Sequence, residues 1–350
     1  MTQVKRILSL TGLSLLTAVA VYTYRVVYSP NILVDKQDRQ FVINEGSSYR
    51  TILAELTRQN IVQDAFAFGV LARLKDFDRR IQPGRYKLQR NMTNLAAINA
   101  LMESRASVNI TFNNVRVLPE LYEKITRGTD VTPREFEEAL SSFVATNHEE
   151  FTRENILCMF IPNSYQVYPN VSPAGLVERM HREYLRFWTN ERKARAANLG
   201  MTPIEISILA SVVQAESIKA DEAPLIACLY LNRLKAGMPL QADPTLVFAS
   251  GDFGIKRVLN IHKEIDSPYN TYKFTGLPPG PINMPTIANL DAVLNPAPQD
   301  YLYMCAREDF SGYHNFASDI YAHGRNAARY RAALTIEMRK GAALKKRKSD

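Results

Sequence analysis

TPIEISILASVVQAE, residues 202 to 216, is the stretch whose reading decides how the rest of the chain is understood. Thr202, Pro203 and Glu205 spell a helix start. The threonine hydroxyl accepts from the third helical N–H, the glutamate reaches back, and proline in the first turn gives up a donor that has no helical partner there. The phase of the helix is then known. At about 100° per residue, Leu209, Val212 and Glu216 fall on one stripe with Val213 beside it, so a carboxylate ends a face expected to pack inward. Burial at that position favours its neutral, proton-donating form. The plainer reading leaves Glu216 solvated just past the buried part of the helix, or paired with a cation.

With 350 residues, 46% of them hydrophobic, the chain has the length for two or three domains and the composition of a globular protein. A formal net charge of +8 suits contact with an anionic partner such as phospholipid, cell-wall polymer or nucleic acid. Part of that excess lies at the C-terminus, where Lys340, Lys345, Lys346, Arg347 and Lys348 cluster, and residues 341–350 read as a basic, frayed, solvated tail. Cys158, Cys228 and Cys305 are too widely spaced to suggest a disulfide framework or a cysteine zinc site, and read as core.

Near the N-terminus ILSLTGLSLLTAVAVYTY, residues 7 to 24, carries no charge, follows Lys5 and Arg6, and leads into Arg25, Val26, Val27 and Tyr28. This predicts a transmembrane anchor over 7–28, with residues 1–6 cytoplasmic. Ala18, Val19 and Ala20 form an A-x-A-like site, so a cleaved signal peptide competes. The apolar run continues past Ala20 to Tyr22 and Tyr24, which favours the anchor. Everything beyond residue 29 then lies outside the cytoplasm, on a single-pass protein, which sets nucleic acid aside as a partner.

Residues 29–40 read as a juxtamembrane linker. Across 41–104 the patterns predict a strand at 41–44, helices at 47–59 and 64–74, a turn at Gln82, Pro83 and Gly84, a strand at 85–88, and a helix at 92–102. This β-α-α-β order is similar to that of the LysM module, which binds glycans; a plain spacer is the alternative. Val108, Ile110 and Phe112 alternate as a strand, and Thr132, Pro133 and Glu135 repeat the helix-start signature. Ser172 and Pro173 open a helix expected to run to about Lys193. Another is expected from Asp221 to Ala236, with Pro224 in its first turn and Gly237 just past its end. Proline-rich loops follow: MPLQADPT (238–245), SPYNTY (267–272), GLPPGPI (276–282) and LNPAP (294–298). Tyr301 to Ala306 and Gly312 to Phe316 read as a hairpin. The fold class expected is α+β: a transmembrane helix, a small module, and a larger α+β domain over 109–340.

No G-x-S-x-G elbow, H-E-x-x-H helix, Walker loop or G-x-G-x-x-G turn occurs, and the five histidines are scattered without metal-ligand spacing. No metal or other cofactor is implied. One placed carboxylate near loops rich in Tyr, Asn and Gln is what the sequence offers. Ordinary glycoside hydrolysis uses two carboxylates. A reaction in which the sugar's own hydroxyl attacks needs one, acting first as acid and then as base, with a raised pKa.

ILASVVQAES (208–217), LNRLKAGMPLQADPT (231–245), SPYNTY, GLPPGPI, LNPA, YLY and GYHNF occur in an order that resembles the YceG-like endolytic murein transglycosylases, the MltG family. The resemblance implies a catalytic domain at 109–340, Glu216 as the catalytic acid, and peptidoglycan strands cut internally between N-acetylmuramic acid and N-acetylglucosamine to leave 1,6-anhydro ends. It implies Asn232, Gln241, Asp243 and Thr245 along the glycan cleft, with Tyr269, Asn270, Tyr272 and His314 around the cleavage site. Many relatives carry a further acid where this chain has Gln214. It also implies residence in the inner membrane beside peptidoglycan synthases. Asn232 also reads as helix surface, and Asp243 before Pro244 as an ordinary turn. A hydrolase pairing Glu216 with Asp243 or Asp266, and a non-catalytic glycan-binding scaffold, are the competing functions.

Overall fold

The structure, a computed structural model, describes residues 2–44, 46–103 and 107–349, with side chains from Leu10 to Lys340. The chain forms two compact units: Met1–Ile110 with Thr126–Phe136 and Tyr165–Leu176, and Thr111–Ile125 with Glu137–Ser164 and Val177–Asp350. The class is mixed α and β with one N-terminal apolar helix.

The first unit begins with α1 (Thr2–Tyr28). Within it Leu10–Tyr28, 19 residues of mean hydropathy 1.4, is the one single helix among the described residues long and apolar enough to cross a membrane. There follow β1 (Pro30–Ile32), β2 (Arg39–Ile43), α2 (Tyr49–Arg58), α3 (Ala65–Leu74), β3 (Gly84–Leu88), β4 (Met92–Thr93) and α4 (Asn94–Leu101). Ser48, Asp64 and Thr93 cap α2, α3 and α4, each side-chain oxygen accepting a first-turn N–H. Strands β2 and β3 pair antiparallel with Phe41 opposite Tyr86. Phe41, Ile52, Leu56, Phe68, Leu71 and Leu88 fill the core between them and the helices.

Residues 29–40 are not a free linker. β1 pairs with β4, and Ile32 and Leu33 are fully buried in the unit's core. Each such apolar burial is worth roughly 1.5 to 3 kcal/mol. The end of α1 is tied in too: Val26 is buried, and its carbonyl accepts from Asn94 Nδ2 at 2.8 Å.

The remaining elements are β5 (Val108–Phe112), α5 (Leu118–Ile125), α6 (Pro133–Thr146), β6 (Asn163–Val167), α7 (Pro173–Phe187), α8 (Asn190–Asn198), α9 (Pro203–Glu216), α10 (Ala223–Lys235), α11 (Asp243–Ser250), α12 (Ile287–Leu294), β7 (Tyr303–Ala306), β8 (His314–Ala317) and α13 (Ile320–Ser349). β5 and β6 form one two-stranded sheet; β7 and β8 form another, with Tyr303 opposite Ala317 and Ala306 opposite His314.

In the second unit α9 packs against α8, α10, α11 and α12. Ile206 through Val213 are all buried, so α9 is a central helix covered on every side rather than one with a single inward stripe. Its start is as the sequence predicts: Thr202 and Glu205 form a complete capping box, with Pro203 in the first turn. The helix expected over 172–193 is instead two, because Thr189 turns to extended geometry and caps α8 by accepting from Arg192 N–H. DPT in the MPLQADPT loop is likewise helical, opening α11. The backbone stays helical to Ser349. The solvated character expected for the side chains of 341–350 lies outside the described residues.

Candidate active site

Glu216 is the last residue of α9, and Ser217 after it is already extended. The backbone therefore ends its helical run where the side chain meets a cleft of about 1020 Å³. That cleft is lined by Glu216, Gln214, Asp243, Phe248, Phe253 and Asn283, among others. Glu216 is half-buried as a residue, facing the cleft while protein surrounds its carboxyl. Tyr230 of α10 donates its hydroxyl to Glu216 Oε1 at 2.6 Å. An acid proton then belongs on Oε2. Burial is the main cause pushing the Glu216 pKa from 4.5 up to about 7; Tyr230 opposes it, the Asp243 carboxylate adds to it, and the Arg233 cation opposes it. Its place at a helix C-terminus, where the backbone dipole is negative, acts in the same direction as burial. The Tyr230 hydroxyl is itself held well above its ordinary value, first by burial and then by the neighbouring Glu216.

Two polar devices hold the loops around that carboxyl. Arg233, buried in α10, donates from Nε to Leu302 O (2.7 Å) and from one terminal nitrogen to Pro239 O (3.1 Å) and Leu240 O (2.8 Å). The second device starts at Thr245, whose hydroxyl donates to Ala242 O; Thr271 Oγ1 lies 2.8 Å from Thr245 Oγ1 and accepts from Ala242 N–H. Since Thr245 has spent its proton on Ala242, Thr271 donates in that pair. Asn270, fully buried, gives its amide to Lys263 O and Ile265 O and accepts from Tyr272 N–H. The outcome is that Tyr272 reaches across and donates to Asp243 Oδ1 at 2.6 Å. Burial and then Asp243 raise the Tyr272 pKa.

On the far wall α9 grips the loop before α12. Ile282 N–H donates to Ser211 Oγ, and Asn283 Nδ2 donates to Ser211 O. Gln214 donates to Asn283 Oδ1 and Met284 O and accepts from Thr286 N–H and Asn289 Nδ2. A carboxylate at 214 has no donor for the Met284 carbonyl, so glutamine uses both ends of its amide here. Gly280 in GLPPGPI has no room for a side chain: a Cβ there would overlap the Glu154 carbonyl oxygen.

Of the residues singled out in the sequence, Glu216 and Asp243 line one cleft, and Tyr272 is bonded to Asp243. Thr245 and Asn270 are buried and spend their polar atoms on backbone and Thr271, so they shape the loops. Gln241 adopts a left-handed backbone (φ 54°), donates its N–H to Thr271 O, and takes a 3.3 Å bond from Arg233. Tyr269 packs on Phe248, 4.7 Å between ring centres, backing the cleft wall. Asn232 faces another hollow, of about 1170 Å³, where its amide donates to Gln299 O and Tyr301 O. His314 lines a smaller hollow with Tyr313 and Arg307, where its Nδ1 and backbone N–H both meet Glu222, whose carboxylate also accepts from the Ser217 hydroxyl next to Glu216. Asp266 is not among the residues lining the Glu216 cleft. Tyr230 escaped the sequence reading, because a tyrosine inside an apolar helical run carries no sign of an acid one turn of another helix away. Among the described residues no group of three or more His, Cys, Asp or Glu side chains is placed to hold a metal ion.

A model of the YceG-like family matches residues 41–329, which takes in both walls of this cleft. The chain belongs to the YceG-like family. Relatives of this YceG-like chain include a protein of Streptococcus pneumoniae R6 called endolytic murein transglycosylase, 25% identical over 359 residues, covering 91% of this chain and 63% of the relative. Another of the same description, from Bacillus subtilis 168, is 27% identical over 332 residues, covering 87% of this chain and 89% of the relative. The chain thus spans less than two thirds of the pneumococcal relative's length. A solved yceG-like protein of Listeria monocytogenes is 22% identical, with a TM-score of 0.49 over 83% of this chain and 98% of that one.

Proposed function

We propose that this chain is an endolytic murein transglycosylase in which Glu216 is both acid and base. The observation that carries the reading is the Glu216 carboxyl at the cleft, whose pKa burial raises to about 7, together with relatives that bear that name. Protonated Glu216 gives its proton to the oxygen of the β-1,4 bond between N-acetylmuramic acid and N-acetylglucosamine. As that bond breaks, the leaving sugar departs with a hydroxyl. The carboxylate then takes the proton of the muramyl 6-hydroxyl, whose oxygen closes on C1 to leave a 1,6-anhydro end. No water is consumed and no cofactor enters. Termination of strand growth follows if the cut falls on nascent glycan. Asp243 and Tyr272 line the site for the sugar, and Gln241, Thr245, Tyr269 and Asn270 hold its walls. Asn232, in its own hollow, suits a more distant part of an extended strand, and His314, held on the Glu222 carboxylate beside Ser217, is assigned to the surroundings of the cleavage site.

Residues 41–104 as a LysM-like glycan grip draw on the order β2, α2, α3, β3 with β2 and β3 paired, and the catalytic domain is assigned to 109–340. The apolar Leu10–Tyr28 helix supports a single-pass inner-membrane protein with an exported domain, adjacent to peptidoglycan synthases as candidate partners.

Because Asp243 shares the cleft, two-carboxylate hydrolysis is the second reading. Digesting purified peptidoglycan with the full chain and weighing the products separates them. Anhydro ends, one water lighter than reducing ends, are the expected result; reducing ends point to hydrolysis, and uncut glycan points to a binding scaffold.

A further inference from the structure

Helix α3 reads AFAFGVLARL, and its apolar residues do not all face the core. Ala67, Phe68, Leu71 and Ala72 are buried, whereas Phe66 is 72% and Leu74 76% exposed. Phe66, half-buried Val70 and Leu74 lie at positions i, i+4 and i+8, one stripe along the solvent side of the helix. Two large apolar side chains exposed on one face of so short a helix, beside Arg73 and Lys75, make an apolar strip rimmed by cations, which suits the boundary between acyl chains and lipid phosphates.

Where that face sits is fixed by its attachment to the end of α1. Asn31, three residues after α1 ends, donates from Nδ2 to Asp64 O (2.9 Å) and accepts Asp64 N–H (2.6 Å), so it clamps the capping residue of α3. The same Asn31 amide donates to Asn94 Oδ1 at 2.6 Å, and Asn94 donates to Val26 O within the last turn of α1. Asn31 and Asn94 are nearly fully buried, and α3 packs against α1. A hydrogen-bonded, water-excluded network therefore joins the apolar helix to the start of α3 with no flexible connection between them. Tyr24 and Tyr28, both exposed on α1, mark the level at which aromatic side chains meet lipid headgroups. Phe66 is two residues past Asp64, which Asn31 clamps, so it lies close to the end of α1.

We propose that the exposed face of α3, Phe66, Val70 and Leu74, dips into the outer surface of the bilayer that α1 crosses, with Arg73 and Lys75 taking lipid phosphates. The first unit is then a membrane-resting platform held at two points rather than a domain swinging on a tether. The occupant is lipid, on the ground that the face is continuous with the spanning helix; cover by a second copy or by another protein are the competing outcomes.

The test uses the full chain in vesicles of phosphatidylethanolamine and phosphatidylglycerol in which part of the lipid carries bromine on its acyl chains. Phe66→Trp and Leu74→Trp each add one emitting side chain to Trp188, which is buried and supplies a constant background. Tyr321→Trp, at a position 79% exposed, is the control. Emission from both α3 variants should fall severalfold more than that of the control as brominated lipid increases, independent of protein-to-lipid ratio. Quenching no greater than the control's overturns the proposal. So does shielding of the α3 tryptophans from aqueous acrylamide that disappears on diluting protein in lipid, which would make a second copy the cover. Unchanged circular dichroism and Trp188 emission establish that the variants are folded.

Discussion

At the scale of single residues the chemistry depends on what surrounds one carboxyl. Burial, the Asp243 charge and the helix C-terminus outweigh the Tyr230 hydrogen bond and the Arg233 charge, and the balance leaves Glu216 protonated up to about pH 7. Glu216→Gln keeps shape and bonding to Tyr230 but has no proton to give, so glycan cleavage should fall to background while the fold survives. The same substitution should show in stability. A carboxyl at about 7 in the fold against 4.5 unfolded favours folding below pH 4.5 and loses that contribution as pH rises through 7. Glu216→Gln should therefore match the wild type near pH 4.5 and exceed it at pH 8, by at most about 3 kcal/mol if each pH unit between the two values counts fully. Urea titrations at the two pH values read this directly. Tyr230→Phe removes the bond that stabilises the ionised form. The alkaline limb of the rate profile should move to higher pH, and a downward move would show that Tyr230 acts otherwise.

At the scale of elements, Arg233 is the fastening between α10 and the loop that leads to Asp243. Lysine has one compact donor group in place of the guanidinium fork and cannot serve Leu302, Pro239 and Leu240 together. Arg233→Lys should cost roughly 1 to 3 kcal/mol of stability and lower cleavage along with it, both measurable on the purified chain. Signals that act over a few residues were legible in the sequence: the Thr202 capping box, the buried alternation of Val108 to Phe112, and the hairpin of β7 and β8. A local signal that serves two structures equally does not decide between them. Asp243 and Pro244 suit a turn and a helix start equally, and the structure uses them to open α11. Thr189 looked like the interior of a long helix until its capping bond to Arg192 divided it. Within the site, the helix end at Glu216 was legible from the capping signature and the phase of α9, whereas the phase alone left a solvated or cation-paired carboxylate open. Tyr230 and the Gln214 clamp were not, since their partners lie on other elements. Asn270 and Thr245 were expected to face substrate, yet the backbone carbonyls of their own loops claim them.

At the scale of the whole molecule, an apolar helix runs without a break into a packed unit, and a second unit carries the candidate site. The boundary between the exposed apolar stretch and the folded part lies inside α1, because Val26 is buried and its carbonyl is used. A truncated chain beginning at Arg25 should be more stable than one beginning at Pro30, by roughly 1 to 3 kcal/mol from the lost apolar burial and the unpaired Asn94 amide; thermal melting of the two would show it. The central claim remains that one carboxyl performs both proton transfers. The most direct measurement is the carboxyl 13C titration of glutamate-labelled chain, with Glu216→Gln used to assign the resonance. The account predicts that Glu216 titrates with a midpoint of about 7. A midpoint near the ordinary 4.5 would leave the group ionised at neutral pH, and would contradict its role as the acid.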